Sequence, residues 1–113
     1  MTKNPNTSKS ANFCPLTDVV ESSHGYQLLV DMPGVGNQGL EIKVERNVLT
    51  LIGNIEHSAF RAVGAEYAFR RSFELSDWVD QDKIEAVLSN GELVISLPKA
   101  ERMREKNIPV RAA

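Results

Sequence analysis

The sequence predicts an all-β chain folded as an antiparallel β-sandwich, and three observations carry that prediction. From Leu16 to Pro98 the apolar residues fall in short runs of period two, the repeat of strands that bury one face. No stretch sustains the 3.6-residue apolar stripe of a packed helix. Turn dipeptides separate the runs, the clearest being Asn90-Gly91, which supplies the positive φ angles of a two-residue hairpin. With 113 residues, 42% hydrophobic and 25% charged, the chain has the size and balance of one domain. Residues 1–14 read as a short disordered arm, 15–99 as the sandwich and 100–113 as a C-terminal tail.

The elements follow in order. The leader is rich in Asn, Ser, Thr and Lys and lacks the apolar content that holds a segment down. Tyr26, Leu28, Val30 and Met32 alternate with Gln27, Leu29 and Asp31. Leu40, Ile42 and Val44 alternate with Glu41, Lys43 and Glu45, the cleanest half-buried strand in the chain. Val48–Ile52 is nearly all apolar, as for a strand covered on both faces, and Arg46-Asn47 makes a tight turn before it. Tyr67, Phe69, Arg71, Phe73 and Leu75 share one parity. Asp80 suits the N-cap of a single turn over Asp80–Lys83. Ile84, Ala86 and Leu88 then face Leu93, Ile95 and Leu97 across Asn90-Gly91. Residues 100–107 favour helix but have no apolar stripe, and read as a solvated linker.

Several function classes are excluded. A net charge of −2, from 13 basic and 15 acidic side chains, argues against nucleic-acid binding by bulk charge. No apolar run approaches the ~20 residues of a membrane span, and the polar start has no segment suited to a secretory signal. The expectation is a cytoplasmic protein with neither nucleic acid nor membrane as partner. One cysteine, Cys14, permits no intrachain disulfide and no thiolate cluster for zinc; it reads as an incidental thiol.

The chemical motifs weaken in context. Residues 34–39 spell G-x-G-x-x-G, but a dinucleotide site needs those glycines to open a helix. Here they precede an alternating strand, so they read as a glycine-rich connection. Asp77, Asp80 and Asp82 lack the glycine and distal glutamate of a calcium loop. His24 and His57 have no ligand partners at metal spacing, and no nucleophile elbow is present. The expectation is a non-enzyme without cofactor or metal.

The tail is more informative. After Pro98-Lys99 a charged linker leads to an isolated triplet, Ile108-Pro109-Val110. The proline fixes φ near −65° and opposes helix, so two β-branched side chains stand preorganised on one side of an extended segment. Burying each gains roughly 1.5–3 kcal/mol before ordering costs. One docking is weak, and several in an assembly are strong through avidity. The alternative is a frayed terminus with incidental hydrophobes.

At this point the residues resemble a known family. Residues 86–93, Ala-Val-Leu-Ser-Asn-Gly-Glu-Leu, are similar to the A-x-x-x-n-G-x-L signature of the α-crystallin domain of small heat-shock proteins. Val30-Asp31-Met32-Pro33-Gly34 upstream and Leu97-Pro98-Lys99 downstream resemble the signature's usual flanks. Arg71-Ser72-Phe73-Glu74-Leu75 resembles the family's Arg-x-Phe-x-Leu strand, and Ile108-Pro109-Val110 its I-x-I/V tail motif. The resemblance runs from about Pro15 to Val110, and the Met-Pro-Gly form is similar to bacterial and plant members.

It implies an immunoglobulin-like sandwich, a homodimeric building block and ATP-independent holding of partly unfolded client proteins. It implies that Ile108, Pro109 and Val110 dock on a neighbouring subunit, in a groove drawn from Leu40, Ile42 and Val44 on one strand and Ile84, Ala86 and Leu88 on another. Parity alone leaves open which of these face groove and which face core. Ala86 is then small so that an incoming side chain fits. Arg71 corresponds to the family's dimer-region arginine, its alternative being a strand ion pair with Glu66 or Glu74. Phe60, Arg61, Ala62 and Val63 are candidates for a short strand crossing to a partner. The segment from Gly53 to Arg71 is short for a bacterial or plant member, nearer in length to animal members that pair a strand with its twin. Longer apolar arms usually drive large assemblies in the family, so the short polar arm implies a dimer or small homo-oligomer. The rival function is a dimeric binding or assembly module, or a co-chaperone-like adaptor, with little holding activity.

Overall fold

In the computed structural model the described residues are 10–56, 66–103 and 106–113. Among these residues eight strands form two four-stranded sheets packed face to face. They are β1 (Ser10–Phe13), β2 (Thr17–Glu21), β3 (Gly25–Asp31), β4 (Val35–Glu45), β5 (Val48–Ile55), β6 (Glu66–Glu74), β7 (Glu85–Ser89) and β8 (Glu92–Pro98). One sheet has the order β1-β6-β5-β4 and the other β2-β3-β8-β7. Every pairing is antiparallel except β1 with β6. Thus β4 and β7 are edge strands on one side of the sandwich, while β1 and β2 are the edges on the other.

The period-two pattern is realised as the core. Leu28 and Val30 of β3, Leu49 and Leu51 of β5, and Leu93, Ile95 and Leu97 of β8 are buried between the sheets with Met32, Val35, Leu75 and Val79. Gly53 lies under this layer: a Cβ there would stand 2.9 Å from Met32 Sδ, so the absent side chain admits the methionine. The two expected hairpin turns form. Arg46 and Asn47 take φ of 53° and 64°, and Asn90 and Gly91 take 51° and 79°, the double left-handed conformation that matches the twist of adjoining strands. Asp80 caps the single 3-10 turn Gln81–Lys83 by accepting from the Asp82 N–H.

Three expectations are modified. The leader does not stay loose as far as residue 14, because Ser10–Phe13 pair in parallel with β6, Phe13 opposite Phe69. An edge strand needs only backbone groups for its ladder, so a polar sequence suffices once Phe13 anchors it. The glycine-rich run is not a loop: β4 begins at Val35, which is buried and pairs with Ile55, and the ladder slips between Val35 and Leu40. The break falls on Gly36–Gly39 within the strand, as glycines in strands often mark irregular pairing. Finally, β5 is fully buried on one face only; its outward Val48, Thr50 and Ile52 are half-buried.

Candidate functional site

The β4–β7 side of the sandwich is open. Both strands end their sheets, and the pleat turns alternate side chains of each toward the gap between the sheets. The result is a groove of about 520 Å³ lined by Asn37, Leu40, Ile42, Ala86, Val87, Leu88 and Leu93. Leu93 is fully buried, whereas Leu40, Ile42 and Leu88 are half-buried and Ala86 is exposed. The groove is therefore of mixed character, aliphatic at Leu40, Ile42 and Leu88 and polar over much of its exposed wall, with a small residue on one rim. Of the residues expected there, Leu40, Ile42, Ala86 and Leu88 come together. Val44 and Ile84 pack against the core without lining the groove.

Sequence reading missed Asn37, Val87 and Leu93. The parity of β8 marks Leu93 as inward, but only the absence of a strand beyond β7 lets a core residue also floor an open groove. Asn37 reaches the site through the irregular stretch of β4, which no periodicity signals.

The tail stands away from this groove. Lys99 closes the domain: its N–H donates to His24 O at 2.9 Å, and it bridges to Val79. Its buried ammonium pairs with Glu21 at 3.1 Å and lies 5.2 Å from the Tyr26 ring centroid. Ala100 N–H donates to Trp78 O, and Glu101–Met103 form one 3-10 turn. Beyond it Ile108 is 82% and Val110 92% exposed, so the triplet touches almost nothing in its own chain. Because β8 runs from Glu92 to Pro98, the tail leaves from the end of β8 opposite Leu93 and the groove.

The other side of the sandwich is closed in part by the leader, which pairs with Glu66–Phe69 of β6; beyond it a pocket lined by Val19, Tyr26, Leu28, Phe73, Leu75, Val79 and Leu97 stays open between β2 and the end of β6. The Phe13 ring lies 5.9 Å from Tyr67 and 6.2 Å from Phe69 between centroids. Arg71 Nη1 donates to Pro15 O at 3.2 Å, and its guanidinium lies 4.8 Å from the Phe73 ring centroid. Arg71 thus fastens the leader where it turns from β1 toward β2, a contact that neither of its expected roles included. Phe60, Arg61, Ala62 and Val63 lie outside the described residues.

Among the described residues no group of three or more His, Cys, Asp or Glu side chains is placed to hold a metal ion. Asp77 and Asp80 serve local structure, Asp77 accepting from Asn47 Nδ2 at 2.9 Å and Asp80 capping its turn. Cys14 is exposed. No helix among these residues is long and apolar enough to cross a membrane.

Comparison with known proteins matches residues 18–111 to the family model described as Hsp20/alpha crystallin family. The chain is 31% identical to Small heat shock protein C2 of Rickettsia felis, over 93% of this chain and 73% of that protein. It is 33% identical to the 17.6 kDa class II heat shock protein of Arabidopsis thaliana, over 85% of this chain and 70% of that one. Among solved structures, heat shock protein 16.0 of Schizosaccharomyces pombe superposes with a TM-score of 0.69 at 26% identity, covering 88% of this chain and 77% of that one. A small heat-shock protein of Xylella fastidiosa, described as having a distinct high order structure, superposes at 0.68 with 27% identity, covering 91% and 97%.

Proposed function

The chain belongs to the Hsp20/alpha crystallin family, whose membership supports a chaperone role, and we propose that it is an ATP-independent holdase of the cytoplasm. In this reading it captures apolar segments of partly unfolded proteins and limits their aggregation. Its building block is a homodimer, and Arg71 lies in the region where the two copies meet. Dimers join when Ile108 and Val110 of one chain, spaced by Pro109, enter the β4–β7 groove of another.

One observation carries the proposal. The same chain holds an open groove along two sheet edges, with Leu40, Ile42 and Leu88 in its lining, and, at its other end, two exposed β-branched side chains at i and i+2 spacing. Consecutive same-side residues of an extended segment stand about 7 Å apart, a span that suits the Leu40–Ile42 and Ala86–Leu88 pairs on the two rims. Edge backbone on β4 and β7 adds unpaired donors and acceptors to which an extended segment can bind.

A second reading, a dimeric assembly module or adaptor with weak holding activity, is favoured by a specific feature. Ser10–Phe13 and Pro15 are committed to β6 and Arg71, so this part of the leader is not free to meet clients. Light scattering of a heat-aggregating test enzyme separates the two readings. Holding predicts suppression at low molar ratios, and no suppression at several-fold excess of this protein rejects it. Tail docking is tested separately by size-exclusion chromatography. The Ile108→Gly, Val110→Gly protein should elute as dimers, and an elution volume equal to the parent's overturns docking.

A further inference from the structure

The outer face of the β2-β3-β8-β7 sheet is unlike the outer face of its partner sheet. Since Leu28, Val30, Leu93, Ile95 and Leu97 point inward, strand alternation turns their neighbours outward. The pairing registers place Leu29, Val94 and Val87 in one row across β3, β8 and β7, with Asp18 of β2 at its end. Leu29 and Val94 are half-buried and Val87 is 64% exposed, so the row is an aliphatic strip that water reaches. Val20, of the same parity as Asp18, adds an exposed aliphatic side chain one row away.

The charged side chains that these four strands turn outward are Asp18, Asp31, Glu85 and Glu92, all exposed and all acidic. They surround the strip: Asp18 at its β2 end, Glu85 in the next row on one side, and Asp31 with Glu92 in the next row on the other. Asp31 stands directly opposite Glu92 in the β3–β8 ladder, and neither has an ion-pair partner among the described residues. Directly opposed like charges destabilise a sheet, so the pair adds nothing to the fold, and a cation brought from outside relieves it. The other sheet turns both signs outward: Glu41 and Arg70 flank Ile52 in one row, and Lys43, Glu45 and Glu74 lie beside it.

Charge decides what can cover the strip. A second copy laid on it face to face would set four carboxylates against four, so the face repels its own kind. An acidic segment meets the same repulsion, whereas a segment with aliphatic residues between lysines or arginines gains from both the strip and its surroundings. From β2 to β7 the row spans three strand spacings, ~14 Å, the length of roughly four extended residues. Resting on the holdase reading above, we propose that this outer face is a client site, and that it selects segments of unfolding proteins in which a short aliphatic run is flanked by Lys or Arg. The run lies along Leu29, Val94 and Val87. The basic heads reach Asp18 at one end and Glu85 and the Asp31–Glu92 pair at the other, and their aliphatic stems cover the rest of the apolar surface. Client capture and tail docking then use different surfaces that meet at Val87, on the rim of the groove.

The test binds two fluorescent peptides to the full-length protein. Both have the same Leu-Val-Leu-Val centre, flanked by pairs of Lys in one and by pairs of Glu in the other. Anisotropy should show the Lys peptide binding about tenfold more tightly at low salt, the order expected of several exposed ion pairs. At ~0.5 M salt the preference should shrink to about twofold. Asp31→Asn with Glu92→Gln should cut the low-salt preference to about threefold without lowering the melting temperature, because it removes a like-charge contact. The same variant should bind a fluorescent tail peptide, residues 100–113, within about twofold of the parent; a parallel loss would tie both effects to the receptor as a whole and overturn the site. Equal affinity of the two peptides at low salt, or failure of both to bind, overturns the client site and leaves the holdase reading to its own scattering assay. An equal loss of preference from Glu41→Gln with Glu45→Gln on the other sheet would mark the attraction as bulk charge and overturn it too. A changed assembly mass in the Asp31→Asn, Glu92→Gln protein would put a second copy on the face in place of a client. If the Lys peptide binds as expected but the protein suppresses no aggregation, the client role falls together with the holdase reading. The two peptides are compared on the unmodified protein, so that outcome does not depend on the stability of any variant.

Discussion

The two lateral openings of this sandwich start alike and end differently. Both are gaps between sheet edges, where strands run out before the core is enclosed. On one side the chain's own leader closes part of the gap: β1 extends the sheet beyond β6, Phe13 packs on Tyr67 and Phe69, and Pro15 is buried under the hydrogen bond from Arg71, while a pocket between β2 and the end of β6 stays open. On the other, between β4 and β7, nothing from the described part of the chain enters, and Leu40, Ile42, Leu88 and Leu93 floor an open groove. The filled side shows what an apolar edge gap accepts, namely a short extended segment held by its backbone and one or two side chains. The tail triplet has the same form and no seat in its own domain. The comparison therefore assigns stability to one side and association to the other.

Filling the open side is the largest way to break that assignment. Ala86→Trp places an indole on the rim of the groove, where Ala86 is exposed and the fold gives room. Excluding Ile108 or Val110 forfeits most of the roughly 1.5–3 kcal/mol that burial of each supplies, so tail-peptide affinity should fall about 100-fold. The melting temperature should change little. Anisotropy with the tail peptide and a thermal melt check the two halves, and a large stability loss with intact peptide binding would invert the assignment.

The filled side should behave in the opposite way. Phe13→Ala removes both ring contacts and the anchor of β1, which should cost about 1–2 kcal/mol. For a domain of this size that lowers the melting temperature by very roughly 4–12 °C, with tail-peptide affinity unchanged. Arg71→Met tests the same side more narrowly. It keeps an aliphatic stem against Phe73 but removes the hydrogen bond to Pro15 O and the cation above the ring, for a loss of about 1 kcal/mol. If Arg71→Met also changes the mass of the dimer in light scattering, the arginine acts at the subunit interface as well as on the leader.

How far the sequence disclosed this asymmetry depends on which force shaped each part. Strands β3, β4, β5, β7 and β8 were legible because one buried face writes a period of two, and both tight turns were legible because three of their four positive-φ positions hold Asn or Gly. The groove was half legible. Leu40, Ile42, Ala86 and Leu88 have the right parity, but parity is the same for a side chain facing the core and one facing an edge gap, and only strand order separates them. Strand β1 was illegible: Ser10, Ala11 and Asn12 are held by backbone pairing, which leaves no mark on side-chain identity. The contact from Arg71 to the leader was illegible for a related reason, since its acceptor is a carbonyl 56 residues away in sequence, a partner that no residue type advertises.

The smallest effect sharpens the comparison where the two sides meet, at the root of the tail. Lys99 is buried while Glu21, its partner at 3.1 Å, is largely exposed. Solvent screens such a pair, so Glu21→Gln should cost only about 0.5 kcal/mol. Three backbone hydrogen bonds around Pro98, Lys99 and Ala100 hold the same point independently, and a neutral amide still accepts from the ammonium. Glu21→Gln should therefore leave both the melting temperature and tail-peptide binding close to the parent's. A change in assembly mass without a change in either, measured by light scattering across protein concentrations, would show that the ion pair sets the direction in which the tail departs. Its role would then belong to the associating side of the molecule, although Glu21 lies on β2, at the edge of the side that the leader closes.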